Sequence, residues 1–255
     1  MNPYQTESLK DKRILLTGAS SGIGRASAIM LAECGAQLVL CGRDIERLNE
    51  TKKYLNRPDD HGIETIDFKS VEQIAGDFEE KLKQYGAFDG VFHSAGISVL
   101  KPAKLLSDKD INNVLGPSLY AALALSKVFS KKSNLKDGGS IVFMSSVAAH
   151  SGQQGMTLYS SSKASIEGLT RSLANELANR KIRVNCIAAG GVDTEMHQKM
   201  VGTSHDDVVK AYEKMHLLGF GKPKDIAGLV VYMMNDISRW MTGSTVVLDG
   251  GYISK

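Results

Sequence analysis

The stretch Arg13-Ile14-Leu15-Leu16-Thr17, running straight into Gly18-Ala19-Ser20-Ser21-Gly22-Ile23-Gly24, decides how this chain is read. A short apolar run stopped by glycine predicts a buried strand. Apolar residues at Ala26, Ile29, Met30 and Leu31 continue it as a helix. A glycine turn between strand and helix lets the backbone come close to a phosphate. The helix N-terminus then offers unpaired N–H groups and a positive partial charge. The spacing is Gly-x-x-x-Gly-x-Gly, whereas the familiar dinucleotide fingerprint is Gly-x-Gly-x-x-Gly. A glycine trio by itself is often a mere turn, so its position between strand and helix is what gives it weight.

Further strands are predicted at Gln37–Cys41, weakly at Ile63–Ile66, and at Phe88–Phe92, Gly139–Ser146, Ile182–Ile187 and Ser244–Leu248. Between them lie helices from Asp44 to about Tyr54, from Ser70 to Gln84, one long helix from Leu119 to Phe129, and one from Thr157. Strands alternating with helices predict one α/β domain, 1–255, with a parallel sheet covered on both faces. The 255 residues suffice for a sizeable core, and the net charge of +3 is scattered without a basic stripe, so nucleic acid is not expected. The start lacks the apolar core of a signal peptide and no run of 18 apolar residues occurs, which predicts a soluble, cytoplasmic protein without a membrane partner. Cys34, Cys41 and Cys186 read as buried small hydrophobes, and the six histidines lack metal-ligand spacing, so no metal is expected.

On the predicted Thr157 helix, Tyr159 and Lys163 stand four residues apart and share a face. A phenol ordinarily titrates near pH ~10, and an adjacent ammonium is expected to lower that value, suiting the tyrosine to proton exchange. Upstream, Ser145 and Ser146 end a strand, at the carboxyl edge where open α/β sheets bind ligands. Such a pair alone is more often a surface contact, so the rest of the chain has to carry the reading.

Together, Thr17–Gly24 and Tyr159-Ser160-Ser161-Ser162-Lys163 resemble the short-chain dehydrogenase/reductase family, over roughly 12–252 and in the right order. The style is most similar to 3-oxoacyl-carrier-protein reductases. The resemblance implies a doubly wound Rossmann domain with a seven-stranded parallel sheet in the order 3-2-1-4-5-6-7. It also implies a homotetramer, with the ending Met241–Tyr252 as the closing strand at a subunit interface. It implies Ser146, thirteen residues before Tyr159, as the hydrogen-bond donor to the substrate carbonyl, Tyr159 as proton donor, and Lys163 as holder of the nicotinamide ribose. A nicotinamide dinucleotide would lie against Gly18, Ser20, Ser21, Gly22, Ile23 and Gly24, with Asp67 and Phe68 at the adenine. Ser94, Ala95 and Gly96 would follow strand four, and Gly190, Val192 and Thr194 would stand near the nicotinamide.

Cofactor choice turns on the end of the second strand, where NAD enzymes keep a carboxylate and NADP enzymes a cation. By alignment with the family Gly42 takes the carboxylate position and Arg43 follows, which predicts NADP(H), NAD(H) not being excluded. The alternative is a solvated Arg43 paired with Asp44 or Glu46. Arg25 is a weaker candidate for phosphate contact. Three positions depart from the family. Its relay asparagine, forty-one residues before the tyrosine, is Ser118, a shorter group retained as a catalytic candidate. Its Asn-Asn-Ala-Gly is His93-Ser94-Ala95-Gly96, where His93 reads as a hydrogen-bonded core histidine. Its Pro-Gly after strand six is Ala189-Gly190.

The family covers its substrate with the segment 194–219, which here contains Met196, Met200 and Met215 with His197, His205 and His216. His150, Gln153, Met156 and Met196 are the substrate-pocket candidates. The function expected is reduction of a ketone to a secondary alcohol with NADPH, the nearest substrate being a 3-oxoacyl thioester. The alternatives are a keto-sugar or other small-ketone reductase, and a non-catalytic NADP(H)-binding protein.

Overall fold

A computed structural model describes residues 2–201 and 206–254, without the side chains of 199–201, 206 and 208. Seven strands form one parallel sheet: β1 Arg13–Thr17, β2 Gln37–Gly42, β3 Gly62–Thr65, β4 Phe88–His93, β5 Leu135–Ser146, β6 Arg183–Ala189 and β7 Thr245–Leu248. Their spatial order is β3-β2-β1-β4-β5-β6-β7, the order that the family resemblance implies. The order reverses between β1 and β4, which opens a crevice at the carboxyl ends of those strands.

Alternation along the strands divides the core in two. Leu15, Val39, Val91, Ile141 and Val184 face one side, under α3 (Val71–Leu82), α5 (Ala121–Phe129) and α6 (Thr157–Leu177). Ile14, Leu16, Leu38, Leu40, Phe92 and Val142 face the other, under α1 (Gly22–Glu33) and α9 (Pro223–Met234). Strands buried on both faces are why the sequence shows continuous apolar runs there. The remaining helices are α2 (Ile45–Lys53), α4 (Asp108–Leu115), α7 (Glu195–Val201) and α8 (Asp206–Lys214). The three cysteines are free and buried. No helix among the described residues is long and apolar enough to cross a membrane.

One element differs from expectation. The long helix begins earlier, as α4 with a Ser107–Asp110 capping box, and passes through a π-turn at Gly116–Tyr120 before α5. Pro117 supplies no N–H to the helical ladder, so the turn widens there. Gly116 also lies so close to Phe68 that a Cβ would come 2.4 Å from the Phe68 carbonyl oxygen.

Candidate active site

The crevice holds a groove and a cavity that meet. The groove is made of backbone. At Gly18 the chain turns at φ +69°, and a Cβ there would lie 2.7 Å from the Ala95 nitrogen. A Cβ on Gly24 would lie 2.0 Å from the Gly18 carbonyl oxygen. Only glycine permits these approaches, and they press the loop after β4 against the loop after β1. Helix α1 starts at Gly22 with an extended Ser21 whose side chain caps nothing, and its first turn has no acidic residue. Its first N–H groups therefore present positive partial charge without a side-chain acceptor. Gly18, Ser20, Ser21, Gly22, Ile23, Phe68, Ser94, Ala95, Gly96 and Thr194 line the groove. An elongated dinucleotide with a diphosphate fits this floor, its anionic centre at the start of α1.

At the outer end of the groove Ser20, Arg43 and Arg47 share a rim pocket with Asp44, Ile45 and Glu46. Gly42 packs on Leu48, so no carboxylate projects there. Asp44 is spent as the cap of α2, accepting from the Glu46 and Arg47 N–H groups, and Arg43 has no ion pair among the described residues. Arg47 reaches across to Glu195 at the start of α7, with 2.6 Å between charged atoms, and both residues line the groove. Arg25 turns away from it, donating to the Ser20 carbonyl and pairing with Glu50. Asp67 is exposed and paired with Lys69, while its neighbour Phe68 lines the groove.

The cavity, about 130 Å³, lies deeper. Ser146 enters it from the end of β5, its oxygen accepting from the Ala148 N–H at 3.2 Å. Tyr159 and Lys163 enter from one face of α6, with the Lys163 Nζ 5.7 Å from the Tyr159 ring centre. The Lys163 ammonium donates to the Met144 carbonyl at 2.9 Å. Gly190, Val192, Thr194, Gln153, Met156 and Met196 complete walls predicted from sequence. Ile23, Ser94, Gly96, Ser98, Thr194 and Met196 line both spaces, so the two are continuous.

Electrostatics here follow burial. The Tyr159 phenol is pushed above its ordinary value by burial and drawn partly back by the Ser146 hydroxyl. The expected lowering by the adjacent ammonium is thus not what dominates. Burial instead pushes Lys163 down to about 8.

Two candidates for the reacting centre, Ser118 and His150, stand outside the cavity lining. Ser118 is buried, and its hydroxyl accepts from Ser162 at 2.8 Å, outside the cavity lining. Its carbonyl lies 3.0 Å from the Nε2 of His93, whose Nδ1 is 2.6 Å from the Thr17 hydroxyl. A carbonyl only accepts, so Nε2 donates and Nδ1 accepts, and burial holds this histidine neutral, down at about 3. Ser118 lies within the π-turn, with its hydroxyl turned to Ser162 of α6. His150 also misses the cavity: it pairs with Glu167 at 2.9 Å, and Ser145 donates to the same carboxylate at 2.8 Å. Glu167, nearly buried one turn beyond Lys163, draws both groups to itself.

Two further residues stand in the cavity wall: His197, placed by the sequence only in the covering segment, and Tyr212, which the sequence did not single out. His197 and Tyr212 line the cavity from α7 and α8. Tyr212 stands on α8, four residues before His216, which lies beyond the end of that helix, and nothing local connects it to Tyr159. Of the 194–219 segment, His205 and the Met200 side chain lie outside the described residues.

A family model described as "Enoyl-(Acyl carrier protein) reductase" matches residues 18–253. A hydroxynaphthalene reductase-like protein of Metarhizium brunneum is 33% identical over 260 residues, 97% of each chain. A 3-oxoacyl-(acyl-carrier-protein) reductase of Thermotoga maritima is 29% identical over 96% of this chain and 99% of its own. Among solved structures, a short-chain dehydrogenase/reductase of Brucella melitensis, a glucose/ribitol dehydrogenase by name, is 29% identical with a TM-score of 0.87, covering 97% of this chain and 99% of that one. Glycine groove, Ser-Tyr-Lys cavity, sheet order and relatives agree: the chain is an oxidoreductase that belongs to the short-chain dehydrogenase/reductase family.

Proposed function

We propose that this chain reduces a ketone to a secondary alcohol with NADPH. The observation that carries the reading is the continuity of the two spaces: the Ser146, Tyr159 and Lys163 side chains open into the same crevice that the glycine loop floors. A nicotinamide bound there supplies the hydride to the carbonyl carbon. The Ser146 hydroxyl holds the carbonyl oxygen by a hydrogen bond, and the Tyr159 phenol gives that oxygen its proton. The phenol carries its proton at neutral pH, as a donor must, and the Ser146 hydroxyl offsets part of the rise that burial imposes. Lys163, beside Tyr159, is held by the Met144 carbonyl and is poised to meet ribose hydroxyls. NADPH is favoured over NADH by Arg43 at a rim without a carboxylate of its own strand.

For the substrate, similarity to the Thermotoga protein supports a 3-oxoacyl thioester. A second reading, a compact aromatic ketone, is supported by the Metarhizium relative and by a specific observation: Met144, Met156, Met196 and Tyr212 give the small cavity soft, flat walls. A homotetramer is also proposed, since Trp240 is 94% exposed, as is much of Leu217 and Leu218 near the outer strand β7.

The test is a nicotinamide-fluorescence titration with NADPH and NADH, followed by a ketone panel. Tight NADPH binding, with turnover that Tyr159→Phe abolishes while binding persists, is expected. Binding without turnover of any ketone would instead mark a cofactor-binding protein that does no chemistry.

A further inference from the structure

We propose that Glu167 is a positioning residue for Ser146: from the helix that carries Tyr159 and Lys163, its carboxylate holds both ends of the turn from which the Ser146 hydroxyl projects. This deepens the reductase reading and rests on it.

The Ser146 hydroxyl is weakly fixed by its own bonds. Its oxygen lies 3.4 Å from the Ala189 carbonyl and accepts from the Ala148 N–H at 3.2 Å, both at the long end of the range. The hydroxyl proton is thereby left for a substrate oxygen, and the place of the group has to come from the backbone on either side. That backbone is extended at Ser146, with φ −157°, and turns at once through Val147–Ala149. The turn is closed by the His150 N–H on the Val147 carbonyl at 2.9 Å. Ser145 and His150 thus bracket the unit. One atom, the Glu167 Oε1, meets both: the Ser145 hydroxyl at 2.8 Å and the His150 Nε2 at 2.9 Å. The Lys163 ammonium holds the residue before them, through the Met144 carbonyl. Helix α6 therefore grips the chain at Met144, Ser145 and His150, and Ser146 stands inside the grip.

The chemistry of position 167 points the same way. Glu167 is four residues past Lys163, on the same helix face, and only 8% exposed, with Ile166, Thr170 and Leu173 buried around it on the helix. An apolar side chain there would complete the core without desolvating a charge, whereas a carboxylate is stable only with donors aimed at it. Among the described residues both side-chain donors to Glu167 flank Ser146. A shift of about 1 Å in a group that must meet a reacting oxygen costs about a hundredfold in rate, so a clamp on this turn bears directly on turnover.

The test compares variants in NADPH-dependent reduction of 2-tetralone and of acetoacetyl-coenzyme A, in NADPH affinity by fluorescence, and in crystal structures of the NADP-bound protein. Glu167→Ala should lower kcat by about ten- to a hundredfold and leave NADPH affinity within about threefold. Glu167→Met fills the space without an acceptor; it should behave alike, and it serves if the Ala variant folds poorly. Glu167→Gln keeps an oxygen for both donors and should recover kcat to within about threefold of the wild type. A Gln variant as damaged as the Ala variant would mean that the charge matters and the grip does not, which overturns the assignment. In a Ser146→Ala background, Glu167→Ala should cost less than about a further threefold, because the group it positions is gone. A full second loss there also overturns it. In the crystal structures the Ser146 hydroxyl should shift or split between rotamers in the Ala or Met variant and keep its place in the Gln variant. An unmoved Ser146 overturns the assignment whether or not either ketone is reduced. A displaced Ser146 in a protein that reduces neither ketone upholds the positioning and counts against the reductase reading, so the two fail separately.

Discussion

The groove and the cavity meet in one crevice but are built by opposite means. Peptide backbone forms the floor of the groove: Gly18, Gly22 and Gly24 clear space, and the uncapped start of α1 supplies the donors. Side chains form the cavity, gathered from β5, α6, the loop after β6, α7 and α8. A backbone site depends on a local run of residues and breaks when any one of them gains an atom. A side-chain site depends on the whole fold and can be edited one group at a time. Gly24→Ala should therefore have the largest effect on cofactor affinity. Its Cβ would stand 2.0 Å from a backbone oxygen that cannot rotate away, so the loop must open. A loss of NADPH affinity on the order of a hundredfold is expected in the fluorescence titration, at tenfold per ~1.4 kcal/mol. Near-native affinity would show that the glycine contacts do not set the groove.

Tyr159→Phe edits the cavity without touching the floor. Turnover should fall by about 10²–10⁴, since the proton donor is lost, while NADPH affinity stays within about threefold. A parallel loss of both would mean that groove and cavity cannot be separated.

Lys163 lines the cavity beside Gly96, a residue common to both regions, and its burial is a cost carried for function. With a folded value of about 8 against an ordinary 10.5, the unfolded chain binds more protons between those pH values. Stability therefore rises with pH across that window, and below pH 8 the cost of burying the charge is present in full. Lys163→Met should remove turnover yet stabilise the cofactor-free protein at pH 7, by roughly 1–3 kcal/mol once the lost bond to Met144 is set against the charge. Calorimetric melting at pH 7 and pH 10 checks this: the gap between variant and wild type should narrow as pH rises. A variant less stable at pH 7 would show that the Met144 bond outweighs the burial.

The same contrast explains what was legible in the sequence. Buried parallel strands announce themselves as apolar runs, and the glycine loop lies between a strand and a helix that are contiguous in the chain, so fold and groove could be read from Arg13 onward. Tyr159 and Lys163 share a helix face and were equally readable. Ser118 was placed by counting back from Tyr159, and counting cannot see that Pro117 widens the turn and leaves its hydroxyl to Ser162. His150 was assigned by its nearness to Ser146, but Glu167, seventeen residues further on, claims it. His197 lay in the predicted covering segment without being chosen, and nothing local connects Tyr212 to the reacting centre. Only the folded chain brings α7 and α8 over β5.

The smallest effects are expected at the rim, where side chains serve the backbone groove. Arg43→Ala should weaken NADPH by about tenfold and leave NADH nearly unchanged, as removal of one charge-assisted bond to a phosphate would. Equal losses for both cofactors would contradict the NADPH preference. Glu195→Gln is a finer probe, because Glu195 holds Arg47 across the groove although both side chains are partly exposed. Exposed pairs are worth about 0–1 kcal/mol, so releasing Arg47 towards the rim it shares with Arg43 should tighten NADPH by no more than about two- to fivefold. NADH, with no phosphate at that end, should be indifferent. If Glu195→Gln weakens both cofactors alike, the Arg47–Glu195 bridge orders the walls of the groove and does not compete for the cofactor's charge.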